Sequence, residues 1–142
     1  MDRKTILIVD DDDTTRSSLV SLLASDAVAV HTASTVEEAE SLLEAETFDL
    51  VIVDLSLTGR VGTEGLELIS KMRQRAPATQ VVLFTGYGSP EIEREARRRG
   101  VDDYWEKTIP IPALIGRIRA LGIPVGQESR EDCNGFVSAN RQ

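Results

Sequence analysis

Apolar residues fall into two alternating patterns along this chain. Ile6 to Val9, Ala27 to Val30, Leu50 to Val53 and Val81 to Phe84 are unbroken apolar runs bounded by polar or turn residues and mostly rich in Val and Ile. A run without alternation suits a strand buried on both faces, as in a parallel sheet. Between the runs the spacing becomes that of amphipathic helices: Leu19, Leu22 and Leu23, then Val36, Ala39 and Leu43, then Leu66, Ile69 and Met72. Thr35-Val36-Glu37-Glu38 reads as a capping box opening the second helix, and Pro77 closes the third. Ser89-Pro90 supplies an N-cap and a first-turn proline to a fourth helix, which Gly100 stops. A fifth strand at about Val101 to Glu106 leads to a last helix starting near Pro112, with Leu114, Ile118 and Leu121 on one face.

Strand starts at 6, 28, 50, 81 and 101 are separated by 22, 22, 31 and 20 residues, each about a strand plus a returning helix. The chain therefore reads as α/β, a (βα)5 doubly wound parallel sheet with helices on both faces and its site at the carboxyl ends of the strands. The long third interval marks an extended loop after Asp54. From Gly122 the pattern fades, so the expected organisation is one domain over 1–122 and a polar tail or the start of a linker over 123–142.

Composition narrows the classes. The 142 residues carry 24 Asp+Glu against 16 Lys+Arg, a formal charge of −8, and 41% of them are apolar. A chain of this length buries roughly 70% of its unfolded surface, so it needs no disulfide or metal to close a core, and the single Cys133 has no internal partner. A pI near 4.7 argues against direct nucleic-acid binding, which needs a basic face. No apolar run approaches the ~20 residues of a membrane span, and the start lacks a secretory signal, so a cytoplasmic, membrane-free location is expected.

The chemistry lies where the apolar runs stop. They end in Asp10-Asp11-Asp12-Asp13, Asp54, Thr85 and Lys107, which a parallel sheet brings to one edge. Like charges ~4 Å apart cost on the order of 4 kcal/mol even at an effective dielectric of 20, so something cationic belongs among them. A hard divalent ion with oxygen ligands, Mg2+, suits the set. A central carboxylate can attack phosphorus to give an aspartyl phosphate, with the Lys107 ammonium and the Thr85 hydroxyl stabilising the phosphoryl oxygens.

Ile6-Leu7-Ile8-Val9-Asp10-Asp11-Asp12, Val51-Ile52-Val53-Asp54-Leu55, Leu83-Phe84-Thr85-Gly86 and Asp102-Asp103-Tyr104-Trp105-Glu106-Lys107, in this order and spacing, resemble the receiver domain of two-component response regulators over residues 4 to 121. The resemblance implies a flavodoxin-like sheet in the order 2-1-3-4-5, like that of the chemotaxis regulators. It implies that Asp54 is the phosphoacceptor for a histidine kinase or phosphotransfer protein, and that Asp10, Asp11, Asp54 and the backbone carbonyl of Ser56 hold Mg2+. Thr85 and Lys107 then match the residues that meet the phosphoryl group, and Tyr104 the aromatic whose rotamer follows the state. Ser56 and Tyr87 stand where the family modulates phosphoryl lifetime. The implied output is a change on the face made by the fourth helix, fifth strand and fifth helix, to a downstream partner or a second copy as a homodimer. Such a protein is a switch rather than a turnover enzyme.

Two departures stand out. Thr108 follows Lys107 where the family has proline after a cis bond, which a non-proline adopts only at roughly 2.5 to 4 kcal/mol; Lys107 is therefore either strained or presented differently. The loop from Leu55 to Glu64 is three residues longer than usual, with Thr58 in place of a proline and added Gly59 and Gly62. Two other readings stay open. One is an atypical receiver that binds partners without phosphorylation. The other is a haloacid-dehalogenase-type phosphohydrolase with Asp10 as nucleophile, Asp12 as general acid and Asp102-Asp103 as a last acidic motif. Asp12 and Asp13 also read as helix-capping carboxylates, the arginines of the fourth helix as a solvated face paired with Glu93 and Glu95, and His31 as a plain surface or packing residue.

Overall fold

A computed structural model describes residues 3–54, 64–86 and 88–125. Its elements alternate throughout: β1 (Lys4–Val9), α1 (Asp13–Leu23), β2 (Val28–Ala33), α2 (Val36–Ala45), β3 (Leu50–Val53), α3 (Glu64–Arg75), β4 (Gln80–Thr85), α4 (Pro90–Arg99), β5 (Asp103–Glu106) and α5 (Ile111–Ala120). All strand pairs are parallel, in the order β2-β1-β3-β4-β5. The expected fold is the observed one.

Strand alternation divides the core. Leu7, Val9, Val51, Val53, Val81 and Leu83 point to the layer that holds Ala39, Leu68, Ile69, Met72 and Ala96 of α2, α3 and α4. Ile6, Ile8, Leu50, Ile52, Val82 and Phe84 point to the other, with Leu19 and Leu23 of α1 and Leu114 and Ile118 of α5. Successive side chains thus take opposite faces, and the unbroken runs are needed because both faces are covered. α4 is thinly anchored: like α2 it buries one residue, Ala96, but it adds Ile92 where α2 adds Val36, Leu42 and Leu43 as partly buried neighbours.

Local chemistry accounts for the ends, with three differences from the expectations. Ser89 accepts from the Ile92 amide and Gly100 closes α4 at φ 105°, a conformation that favours glycine. At α2 the Thr35 hydroxyl accepts from the Glu38 amide as expected, but the Glu38 carboxylate reaches mainly one residue past the cap, to the amide and hydroxyl of Ser34 at 2.7 and 3.0 Å. β5 begins at Asp103 rather than Val101, because the Asp102 carboxylate itself takes the Val81 amide at 2.7 Å; Asp49 does the same for the Thr5 amide at 2.8 Å. Packing runs beyond residue 122, with Ile123 and Val125 buried against the α1 and α5 side. His31 sits inside β2, short of its end, where its ring meets Phe48 edge-on at 5.4 Å and its Nε2 lies 3.8 Å from Glu46.

Candidate functional site

Inter-strand hydrogen bonds fix three of the site residues by their backbones. The Asp10 amide donates to Ala33 at 3.0 Å, the Asp54 amide to Val9 at 2.8 Å and the Lys107 amide to Thr85 at 2.9 Å, so each ladder runs one residue past its strand. Asp10, Asp54 and Thr85 are 2%, 3% and 0% exposed, whereas Asp11 is exposed. Burial of two carboxylates side by side is costly unless charge of the other sign is near.

The structure supplies one such charge. Lys107 Nζ lies 2.9 Å from Asp10 Oδ2 and 3.6 Å from Asp54 Oδ2 and 5.9 Å from the centre of the Phe84 ring, a cation–π contact. Burial pulls the Lys107 ammonium down, but the hydrogen bond to Asp10 and the field of Asp54 outweigh it and hold its pKa above the usual lysine value. The second Asp10 oxygen accepts from the Asp12 amide at 3.0 Å. One ligand oxygen each from Asp10, Asp11 and Asp54 falls within 4.8 Å of the others, a hard-oxygen set with a carboxylate excess over Lys107 that a divalent ion fits.

Among the described residues no peptide bond is cis. Lys107 therefore reaches the carboxylates across an ordinary trans bond to Thr108, which resolves the departure in favour of a different presentation of the lysine.

Asp12 and Asp13 belong to the helix instead. Asp12 caps α1, taking the Thr15 amide and hydroxyl at 2.9 and 2.6 Å, and these bonds hold its carboxyl below the usual range. Asp13 pairs with Arg16. Arg16, unmarked in the sequence reading, also donates to the Asp10 carbonyl at 2.7 Å and so braces the acidic corner from α1. Its only signal is its place one turn into the helix after the acidic run. Ser56 and Tyr87, with Thr58, Gly59, Gly62 and Cys133, lie outside the described residues.

Tyr104 is 9% exposed and packs in the α2–α3–α4 layer with Ala96 and Val101, paired with Leu83 in register. Burial, then the charges of Glu106 and Glu93, hold its hydroxyl above the usual tyrosine value, partly offset by the Ser89 amide. Asp103, at the other end of β5, takes the Trp105 indole N–H at 2.6 Å and Arg117 of α5 at 3.1 Å, with Arg97 of α4 at 3.6 Å. On α4 the expected pairs form, Arg97 with Glu93 at 3.2 Å and Arg99 with Glu95 at 2.7 Å, and Arg98 also meets Glu95.

The placement of Asp102 and Asp103 bears on the phosphohydrolase reading. Both serve the start of β5, one pairing with the first residues of β4 and the other with helix arginines, and so they lie at the edge away from Asp10. That reading is left without its last acidic motif.

Comparison with known proteins points to one family. A family model described as the response regulator receiver domain matches residues 6–119. The response regulator protein PilR of Pseudomonas aeruginosa is 36% identical over 121 residues, which cover 85% of this chain and 26% of that protein; the chain spans about a quarter of that relative. A CheY-like receiver domain protein from Methanospirillum hungatei superposes with a TM-score of 0.76 at 30% identity, covering 84% of this chain and 94% of the other. A response regulator from Burkholderia pseudomallei, solved with a phosphorylated aspartic acid, calcium ion and citrate, gives 0.71 at 27% identity over 82% and 71% of the two chains. Among the described residues no helix is long and apolar enough to cross a membrane.

Proposed function

The chain belongs to the response regulator receiver family, and from that premise we propose that it is a phosphorylation-dependent switch whose phosphoacceptor is Asp54. One observation carries the proposal: ligand oxygens of Asp10, Asp11 and Asp54 converge within 4.8 Å beside the Lys107 ammonium, 2.9 Å from Asp10, at the carboxyl edge of the sheet.

An Asp54 carboxylate oxygen attacks the phosphorus of a phosphohistidine on a histidine kinase or phosphotransfer protein. The new P–O bond forms as the P–N bond breaks, and the imidazole departs to take up a proton. Because the Asp54 backbone is pinned to β1, its oxygen needs no reorganisation to meet the donor. Lys107, now shared between Asp10 and Asp54, follows the negative charge onto the phosphoryl oxygens. Thr85, on the neighbouring strand, turns its hydroxyl to the same group. Asp10, Asp11 and Asp54, with the backbone carbonyl of Ser56, would hold Mg2+, which when bound neutralises the carboxylates and the phosphoryl oxygens.

The output follows from the thin seat of α4. With one buried residue and a margin of exposed ion pairs, α4 is cheap to reorient, so a movement of Thr85 passed to Tyr104 changes the α4–β5–α5 face that a partner or second copy meets. Ser56 and Tyr87 set the phosphoryl lifetime, and the protein works in the cytoplasm as a signalling component rather than a turnover enzyme.

The test is intact mass after incubation with acetyl phosphate. A single-phosphate adduct that requires Mg2+ and is absent from Asp54→Asn is expected. A folded wild type that takes no phosphate sinks the proposal and leaves the non-phosphorylated interaction module.

A further inference from the structure

We infer that Gly88 is a positioning residue for Tyr104: the missing side chain at 88 is what admits the tyrosine to its buried place beside the β4–α4 loop. A Cβ built on Gly88 would overlap the Tyr104 hydroxyl outright and come within 2.9 Å of Cζ and 3.2 Å of Glu106 Oε2. Contacts under 3 Å to a ring atom on a strand cannot be relieved by swinging a flexible tip, so ring and side chain exclude each other.

The requirement is for space and not for backbone freedom. Gly100 and Gly122 are the glycines with positive φ among the described residues, and Gly88 is not one of them; an alanine is denied there chiefly by Tyr104, with Glu106 Oε2 the next contact. Gly86, two residues earlier in the same loop, is different, since its Cβ would meet Lys107 Cδ at an ordinary 3.8 Å. Gly116 on α5 would meet nothing within 4 Å. Tyr104 shares its layer with Ala96 and Val101, with Ile92 packed against that layer, and an open groove between α4 and β5 is lined by Tyr104, Glu93 and Arg97, so a ring displaced from Gly88 turns outward into that groove. The residue at 88 therefore decides how much aromatic surface the α4–β5–α5 face presents. That functional consequence rests on the switch proposed above; the steric relation does not.

The experiment incorporates 3-fluorotyrosine, which labels two sites, Tyr87 and Tyr104, assigned with Tyr87→Phe. Solvent exposure is read from the shift between H2O and D2O and from broadening by a soluble paramagnet. The wild-type Tyr104 resonance is expected to be protected, the Gly88→Ala resonance to show a severalfold larger solvent response, and Gly116→Ala to match wild type. A protected resonance in folded Gly88→Ala overturns the inference. If Gly88→Ala does not fold, it is made with Tyr104→Ala: recovery of a cooperative transition sustains the coupling, and failure in both backgrounds overturns it. No phosphoryl donor is used, so loss of the acetyl phosphate adduct in wild type would fell the proposed function while leaving this result to stand or fall by itself.

Discussion

β5 carries a cluster of carboxylates and cations at each end, and the two are built to opposite balances. At its carboxyl end, among the described residues, Asp10 and Asp54 face the ammonium of Lys107 with Asp11 beside them, and Arg16 is engaged by a backbone carbonyl and Asp13. At its amino end, Asp103 faces Arg117, the Trp105 indole and Arg97, the last shared with Glu93. The first cluster holds two buried carboxylates and, among the described residues, more carboxylates than cations, so it favours an added cation. The second is partly exposed and fully met, so it ties α4 and α5 to the strand between them. A count of acidic residues does not separate a site from a clamp; burial combined with charge imbalance does.

Removing Lys107 from the first cluster should produce the largest effect. Lys107→Met takes from the buried Asp10 and Asp54 the ammonium that lies 2.9 and 3.6 Å from them, and breaking such a pair from one side costs about 3 kcal/mol. Urea denaturation in chelator should show that loss, and Mg2+ should raise the variant's midpoint more than the wild type's. A loss under about 1 kcal/mol would mean that the corner is already screened, and the contrast between the two ends would fail.

The reverse change sharpens the same point with a smaller effect of opposite sign. Asp54→Asn removes one of two buried carboxylates that share Lys107, relieving like-charge repulsion while the 2.9 Å Lys107–Asp10 pair remains. Stability in chelator should rise by about 1–2 kcal/mol, and the stabilisation by Mg2+ should shrink. A neutral acceptor that destabilised the protein would show that Lys107 alone balances both carboxylates.

The alternation of strands and helices and the corner residues were legible in the sequence because both rest on backbone regularity, whereas the order of the strands in the sheet came from the family resemblance. An apolar run marks a doubly covered strand, and the ladder then fixes whatever follows it, so Asp10, Asp54 and Lys107 could be placed from where the runs end. Features that depend on a second element arriving from elsewhere were not legible. Gly88, next to Ser89-Pro90, reads as a turn glycine until the Tyr104 ring is seen against it. That Asp49 and Asp102 would act as strand-end acceptors was not legible either, since nothing local says that each carboxylate takes the second amide of the neighbouring strand. Ile123 and Val125, isolated by Pro124, lack the periodicity of a helix, and only the α1 and α5 layer shows them as core.

The smallest effect belongs to the satisfied end. Asp103→Asn keeps the shape of the side chain but removes a charge that holds Arg117, Arg97 and the indole, and the loss at neutral pH should be about 1 kcal/mol, since the cluster is partly open to solvent. Burial opposes the Asp103 charge, but the bonds from Trp105, Tyr104 and Arg117 outweigh it and lower its carboxyl below 3.8. A group whose folded-state value is lowered contributes stability above its unfolded value and loses it as the pH falls through the folded one. The gap between wild type and Asp103→Asn should therefore be flat near neutrality and close on acidification below pH 3.8. Paired denaturation curves across that range decide it. A gap that persists in acid would show Asp103 acting through shape and neutral hydrogen bonds, and the amino end of β5 would no longer be an electrostatic clamp to set against the corner at its other end.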